Sequence, residues 1–308
     1  CILIGSLFSE PMRVETVNYS HDGTLSTGLV GTQSERFRKV TLTSQDIESL
    51  SIIESGFTYD GDGHLLRLGL QAYSLGIAWE FDPYFGLSIS RVDPLPHQLE
   101  AVYDYFLKLA RIRFLLADDT GAGKTIMTGL VIKELMMRGL LSRILIITPG
   151  GLTKQWQEDE MLSKFNLQFT LANRSMFSAD PNIFHNTDRI VTSIDFISRE
   201  DVLNVALNSH WDLIVFDEAH RLSAYDYGTK VYKSKRYQAA QSLSHQCEHL
   251  LLLTATPHRG RTDTFKKLLQ LLDEDIFATE EIASTRIKEL EKNGINKFFI
   301  RRLKEDMK

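Results

Sequence analysis

The chain has 308 residues, of which 43% are hydrophobic and 24% are charged, and its formal net charge is -5. This composition is typical of a soluble folded protein of about two domains, and it argues against a strongly basic, histone-like nucleic-acid binder. Only two cysteines occur, so no disulfide framework is expected and a reducing, cytoplasmic location is favoured. No apolar run approaches the ~20 residues of a membrane span, and no signal peptide is recognisable, so no membrane partner is expected.

The first 56 residues predict a small β-rich accessory module. Short alternating runs at 13–17, 25–30 and 37–42 are separated by turn residues, which is typical of antiparallel strands in a small barrel or sheet. Titratable side chains do not cluster here, so we expect packing or binding of a protein partner rather than catalysis. Residues 57–94 predict a connector with a helix followed by an extended segment.

From Leu95 the pattern changes to alternating strands and helices. Near-continuous apolar runs predict strands that are buried on both faces of a parallel sheet; they lie at 112–116, 144–148, 190–192, 213–216 and 250–253. The expected fold class is therefore α/β, with helices on both faces of the sheet and ligands at the carboxyl ends of the strands. We place this domain at 95–272 and a charged, largely helical extension at 273–308.

A phosphate-binding loop follows the first of these strands. Its residues are Asp118, Asp119, Thr120, Gly121, Ala122, Gly123, Lys124 and Thr125. The order of strand, glycine-rich turn and helix is the context of a P-loop, in which backbone N–H groups approach the phosphates where glycine carries no Cβ. Lys124 would reach the β- and γ-phosphates, and the Thr125 hydroxyl would bind Mg²⁺. The general pattern has glycine where this chain has Asp118, so an ordinary glycine-rich turn is the alternative interpretation.

Two later strands end in residues suited to hydrolysis of a bound triphosphate. The fourth predicted strand delivers Asp217, which would bind Mg²⁺, and Glu218, which would orient or deprotonate the attacking water. The fifth ends in Thr254 and Thr256, whose hydroxyls would sense the γ-phosphate and contact His220. Taken singly, these residues also fit an acidic surface loop and a strand exit. Their occurrence after a P-loop favours ATP hydrolysis.

These motifs, in this order, resemble the first RecA-like lobe of superfamily-two helicases and translocases. The acidic Asp118 is similar to the loop of the Swi/Snf-like branch, so the departure from the general P-loop becomes a match to that branch. The segment 95–99 resembles the glutamine motif, which implies that Gln98 reads the adenine edge. Segments 144–149 and 190–193 resemble motifs Ia and Ib. This implies contacts to the phosphates of a tracked strand by Thr148, Pro149, Thr192 and Ser193.

The resemblance covers about residues 95–308 and implies a DEAH-box motor that uses ATP and Mg²⁺ on nucleic acid, with double-stranded DNA as the expected partner. The N-terminal module is most similar to large bacterial Swi/Snf-like proteins, including those of phage-defence islands. Because the chain opens with Cys1 and shows no second-lobe motif before Lys308, we expect a longer polypeptide with a second RecA-like lobe. Alone, this chain should hydrolyse ATP poorly, since an arginine finger contributes about 10³- to 10⁵-fold in rate.

Other interpretations stay open at this stage. The negative net charge also fits a nucleotide-gated module that binds protein or nucleic acid without ATPase activity of its own. A strand-separating helicase is a third interpretation, which the acidic start of the loop disfavours. The basic and aromatic residues at 230–237 fit a nucleic-acid groove edge or a solvated helix face equally well. His245, Cys247 and His249 suggest a metal set, but they lead into a buried strand, which disfavours it.

Overall fold

The computed structural model describes residues 1–19, 24–53, 62–227, 230–256, 262–277, 298–300 and 302. By its contacts the chain divides into two units, Cys1–Leu75 and Gly76–Lys308. This division falls within a long helix rather than at residue 56 or 94, and the four predicted segment bounds remain predictions. None of the helices in the described ranges combines the length and the apolar character needed to cross a membrane.

The first unit contains a five-stranded antiparallel sheet, as the alternating runs predict. Its strands are β1 (Ile2–Ile4), β2 (Met12–Tyr19), β3 (Leu25–Gly31), β4 (Phe37–Leu42) and β5 (Ser51–Ile53), and its helix α1 is Ser44–Glu48. The strand order is β4-β3-β2-β1-β5, over a small core that includes Met12 and Leu29. Among the described residues, edge strands β4 and β5 do not pair, so the sheet is open and is not a closed barrel. A long helix, α2 (Gly63–Phe81), follows.

The second unit contains the predicted parallel sheet. Its strands are β6 (Arg113–Leu116), β7 (Ile144–Thr148), β8 (Thr170–Ala172), β9 (Arg189–Ser193), β10 (Trp211–Phe216), β13 (Cys247–Leu253) and β14 (Phe299–Ile300), while β11 (Ala224–Tyr227) and β12 (Lys230–Lys233) form a separate hairpin. The order is β14-β6-β13-β10-β7-β9-β8, with every neighbouring pair parallel. The predicted fold class, a RecA-like α/β lobe preceded by a small β-rich domain, is confirmed.

Helices precede the first strand of this sheet and lie between the later ones. They are α3 (Phe85–Ser88), α4 (Pro96–Leu99), α5 (Lys124–Met137), α6 (Arg174–Ala179), α7 (Ile183–Asn186), α8 (Ile194–Ile197), α9 (Glu200–Leu207), α10 (Lys235–Ser244) and α11 (Thr262–Leu272). Two further segments, Glu100–Tyr105 and Gln155–Lys164, are π-helical. The described residues also include short 3₁₀ turns at Phe106–Lys108, Gly150–Leu152 and Ala219–Arg221.

Burial on both faces explains why the central strands are continuously apolar. All five residues of β7 are buried. Leu145 and Ile147 join the apolar cluster on one face of the sheet, and Ile144 and Ile146 join the cluster on the other. Because consecutive side chains of a strand point to opposite faces, a strand covered on both sides must be apolar at every position.

The strand order places the predicted motifs in a row along one edge. The carboxyl ends of β6, β13 and β10 are adjacent, so the phosphate-binding loop, Thr254 and Asp217 lie side by side. The ends of β7 and β9 follow, and they carry the motif Ia and Ib segments. The predicted nucleotide motifs and the predicted nucleic-acid motifs therefore occupy neighbouring parts of the same edge.

Strand β14 was not predicted. Within the part of the chain that the structure describes, it consists of Phe299 and Ile300, which pair in parallel with β6 at the edge of the sheet. Two residues are too few for any periodic signal. The predicted helical extension at 273–308 lies largely outside the described residues.

Candidate functional site

The loop between β6 and α5 has the backbone geometry of an anion site. Gly121 and Gly123 have φ values of +86° and +80°, in the left-handed region that glycine adopts without steric cost. A Cβ at Gly123 would overlap the Gln98 amide, so this position requires glycine for space as well. Helix α5 starts directly afterwards, and its first backbone N–H groups and positive dipole end lie at the loop.

Lys124 is held by the loop that it follows. Its Nζ donates to the carbonyl oxygens of Asp118 at 2.7 Å and Asp119 at 3.0 Å. An ammonium has three donors, so one N–H remains for a phosphate. Burial lowers the pKa of Lys124, while the nearby carboxylates of Asp118 and Glu218 act in the opposite direction.

One cavity of about 370 Å³ brings the predicted nucleotide residues together. Its lining includes Thr120, Gly121, Gly123, Lys124 and Thr125 from the loop, and Asp217 and Glu218 from the end of β10. The two groups are more than 90 residues apart in the chain and meet because β6 and β10 are separated by β13 alone. This cavity is the candidate site.

Asp217 is fixed by a tryptophan that sequence reasoning did not assign to the site. Its Oδ2 accepts a 2.8 Å hydrogen bond from the Trp156 indole, and its Oδ1 accepts a 2.8 Å bond from the Glu218 backbone N–H. Burial raises the pKa of Asp217, and the Trp156 bond lowers it. Trp156 is 2% exposed and lies 61 positions away in sequence, so no local pattern could reveal this pair.

Glu218 and the predicted coupling residues form a short chain of polar contacts. Glu218 has a φ of +51°, which is unusual for a non-glycine residue and turns the chain sharply after β10. His220 Nδ1 lies 3.0 Å from Glu218 Oε2 and 3.3 Å from Thr254 Oγ1. The Thr256 backbone N–H donates to the same Thr254 oxygen at 3.2 Å. The structure thus places His220 between Glu218 and Thr254.

Gln98 and Asp118 support the loop from behind instead of lining the cavity. Gln98 is 3% exposed; its Oε1 accepts from Leu95 N–H at 3.0 Å and its Nε2 donates to the Ala122 carbonyl at 2.9 Å. Asp118 is completely buried, and its carboxylate accepts hydrogen bonds from Arg302. The Asp118 carbonyl oxygen, and not its carboxylate, bonds to Lys124, and the assignment of Asp118 to the ATP site remains a prediction. Adenine recognition by Gln98 remains a prediction.

The predicted nucleic-acid residues are mostly turned inward. The hydroxyls of Thr148 and Thr192 are buried and donate to the carbonyls of Pro149 and Ala172, at 2.7 and 2.8 Å. Pro149 is buried as well. Ser193 is half-buried and accepts a hydrogen bond from the Phe196 N–H at the start of α8.

A second cavity, of about 290 Å³, lies at this end of the sheet. Its lining includes Ser193, Gly150, Gly151 and Lys154. Lys154 is exposed, and sequence reasoning did not assign it to a site. The sequence feature that points to Lys154 is its position shortly after the pair Gly150 and Gly151, at the end of a predicted strand. Of the four predicted residues, Ser193 is the one that reaches this cavity.

Two further patterns noted in the sequence make contacts inside this unit: the basic residues at 230–237 and the set His245, Cys247 and His249. Lys233 and Arg236 bond to Gln241 and Asp195 of the same unit. Burial raises the pKa of the Cys247 thiol to about 11, and His249 Nδ1 accepts a 3.0 Å hydrogen bond from the Ile112 N–H.

Comparison with known proteins agrees with this geometry. Residues 91–259, more than half of the chain, match the family model described as type III restriction enzyme, res subunit. Relatives include the RNA polymerase-associated protein RapA of Yersinia enterocolitica serotype O:8 / biotype 1B (strain NCTC 13174 / 8081), 38% identical over 201 residues, and that of Yersinia pseudotuberculosis serotype O:1b (strain IP 31758), 37% identical over 201 residues. Each match covers 63% of this chain and 20% of the relative, so the chain spans about a fifth of these curated relatives.

Solved structures show the same relationship. The Sulfolobus solfataricus SWI2/SNF2 ATPase core in complex with dsDNA has a TM-score of 0.54 and 26% identity, with 74% of this chain and 48% of that chain covered. The same core domain in a second structure has a TM-score of 0.53 and 26% identity, with 71% and 45% covered.

The fold and the site define a P-loop lobe of RecA type. The chain belongs to the type III restriction enzyme res-subunit family. The relatives and the solved structures identify residues in this match as the first RecA-like lobe of a Swi/Snf-like helicase.

Proposed function

We propose that this lobe binds ATP with Mg²⁺ and hydrolyses it as part of a DEAH-box motor that translocates on double-stranded DNA. One observation carries the proposal: the phosphate-binding loop and the acidic end of β10 line a single cavity. A nucleotide-gated binding module would need the loop but would not need a carboxylate pair opposite it. The acidic pair therefore favours hydrolysis over binding alone.

The residues of the cavity fit a magnesium nucleotide. Mg²⁺ prefers oxygen ligands and is commonly held by one or two protein groups together with substrate phosphates. The Thr125 hydroxyl and the Asp217 carboxylate line the same cavity and would hold it. When bound, Mg²⁺ neutralises charge on the phosphates.

The side chains of the chain itself have distinct proposed roles. The loop N–H groups and the remaining Lys124 donor would orient the phosphates. Glu218 would accept the proton of the attacking water. His220, in contact with both Glu218 and Thr254, would transmit the state of the site to the end of β13. A second RecA-like lobe would supply the arginine finger.

A magnesium titration tests the proposed function. We expect Asp217→Asn to raise the Mg²⁺ concentration needed for half-maximal binding of a fluorescent ATP analogue by about 10- to 100-fold, because a metal ligand loses its charge. Binding measured without Mg²⁺, in EDTA, should change little. Asp212→Asn is the matched control, since Asp212 lies at the opposite end of β10, where it accepts backbone bonds from Ser142 and Arg143. Equal magnesium requirements in wild type and Asp217→Asn would contradict the proposal.

The nucleic-acid partner is proposed from the second cavity. Ser193, the glycine pair and exposed Lys154 present donors at the ends of β7 and β9, next to the nucleotide motifs. The structural neighbour in complex with dsDNA supports DNA as the partner. Negative net charge does not oppose this, because phosphate contacts are local.

Lys154→Ala should weaken DNA binding by the full-length protein in a salt-dependent way. We expect the slope of log affinity against log salt to decrease in magnitude by about 1, because one phosphate contact is lost. The measurement is fluorescence anisotropy with a labelled duplex across a salt series, with Lys108→Ala as a control on an exposed lysine that pairs with Asp104. An unchanged slope would exclude Lys154 from the DNA interface.

A further inference from the structure

Arg302, just beyond β14, binds the buried carboxylate at the start of the phosphate-binding loop. Its Nη2 donates to Asp118 Oδ2 at 2.6 Å, and its Nε lies 3.2 and 3.3 Å from the two carboxylate oxygens. The Arg302 backbone N–H donates to Asp118 Oδ1 at 2.8 Å. The Arg302 side chain is 17% exposed and that of Asp118 is fully buried. Both oxygens of the carboxylate are therefore bonded to one residue.

The same guanidinium reaches a second segment that supports the loop. Arg302 Nη1 donates to the His97 carbonyl at 2.7 Å. The His97 ring Nε2 lies 3.0 Å from the Ala122 carbonyl, and Gln98 Nε2 donates to that carbonyl at 2.9 Å. Arg302 thus joins the beginning of the loop to the residues that hold its middle.

Backbone contacts continue this connection. The Ala117 N–H donates to the Ile300 carbonyl at 2.8 Å, and the Asp119 N–H donates to the Arg302 carbonyl at 3.3 Å. The residue that precedes the loop is therefore paired with β14, and Asp119 within the loop is paired with Arg302. A shift of Arg302 would remove partners from Asp118 and Asp119, whose own carbonyls hold Lys124.

A contribution to stability does not by itself explain why the buried carboxylate of Asp118 is paired with Arg302. The general P-loop pattern has glycine at this position, which buries no charge. A buried ion pair often contributes no more stability than apolar residues of the same volume, because both charges lose their hydration. What it does impose is a defined geometry, since a guanidinium and a carboxylate fit each other in few orientations.

We propose that Arg302 is a positioning residue that holds the phosphate-binding loop in its ATP-binding conformation and makes ATP affinity depend on the position of Arg302. This inference rests on the proposed function, because it assumes that the loop binds ATP. Linkage requires the reverse effect as well: ATP must stabilise the contact between Arg302 and Asp118 by the same factor. Displacement of Arg302 would then lower ATP affinity without any change in the residues that line the cavity.

Arg302→Lys in the full-length protein tests the inference, with Arg143→Lys as the matched control. Arg143 is 20% exposed and likewise donates to backbone carbonyls, those of His210 and Phe184, but it lies at the opposite end of the strands. Lysine keeps the charge and loses the planar fork. For N-methylanthraniloyl-ATP we expect Arg302→Lys to raise the Kd on the order of tenfold, about the effect of one charge-assisted hydrogen bond. Arg143→Lys should leave it within about twofold.

Amide hydrogen exchange gives a second readout that a purely stabilising role would not produce. ATP should slow exchange of the Arg302 and Asp119 amides in wild type, and should slow it less in Arg302→Lys. Equal ATP affinity for Arg302→Lys, Arg143→Lys and wild type would overturn the inference, provided that Lys124→Ala loses binding in the same assay. Absence of ATP binding by folded wild-type protein would instead overturn the proposed function.

Discussion

Glu218→Gln should reduce DNA-stimulated ATP turnover of the full-length protein by about 10²- to 10⁴-fold, the contribution typical of a general base. The amide keeps the size of the side chain but cannot accept the proton of the attacking water. ATP binding should persist, because the loop and Lys124 are unchanged. The measurement is steady-state phosphate release together with equilibrium binding of a fluorescent ATP analogue.

Two further variants serve as controls for Glu218→Gln. Glu158→Gln removes a carboxylate that is exposed on the neighbouring helical segment, and should leave turnover within about twofold of wild type. Lys124→Ala should also abolish turnover, but by weakening ATP binding. The ATP affinity therefore distinguishes Lys124→Ala, which loses it, from Glu218→Gln, which keeps it. If Glu218→Gln turned over ATP at the wild-type rate, the role of Glu218 would be wrong and another group would have to activate the water.

Glu134→Ala should lower the free energy of unfolding by about 3–5 kcal/mol, the range for breaking a buried charged network. Glu134 is completely buried on α5; its Oε1 accepts from the Tyr103 hydroxyl at 2.5 Å and from the Leu87 N–H at 3.2 Å. Its Oε2 lies 3.5 Å from an Arg138 nitrogen. Alanine would leave these partly buried donors without their acceptor and would leave a cavity between α3 and α5.

Glu134→Gln is the control for this prediction. An amide oxygen can still accept from Tyr103 and Leu87, so we expect a smaller loss that reflects the charge opposite Arg138. The measurement is urea unfolding followed by tryptophan fluorescence, with m-values compared between variants. If the two variants were equally stable to within about 0.5 kcal/mol, the hydrogen bonds to Tyr103 and Leu87 would contribute nothing measurable.

The parts of the fold that sequence reasoning predicted well are those encoded locally. The β7 run was recognisable because burial on both faces leaves no polar position in it. The phosphate-binding loop was recognisable because its chemistry needs glycine, lysine and threonine at adjacent positions. In both cases the determining residues are neighbours in the chain.

The contacts that could not be predicted join residues far apart in sequence. Asp118 and Arg302 are separated by 184 positions, and no periodicity relates them. The Asp118 signal was recognised as a family feature, but its partner depends on β14, which is too short to predict. The inward orientation of Thr148 and Thr192 could not be predicted either. A motif match places a segment at the end of a strand, but it does not specify which way the side chains point.

A crystal structure with Mg²⁺ and a non-hydrolysable ATP analogue tests the central claim most directly. We expect the β- and γ-phosphates on the backbone N–H groups of residues 121–125, and a metal ion about 2.1 Å from the Thr125 hydroxyl and bonded to Asp217 directly or through one water. Phosphates bound elsewhere, or a metal ion contacting neither residue, would contradict the account.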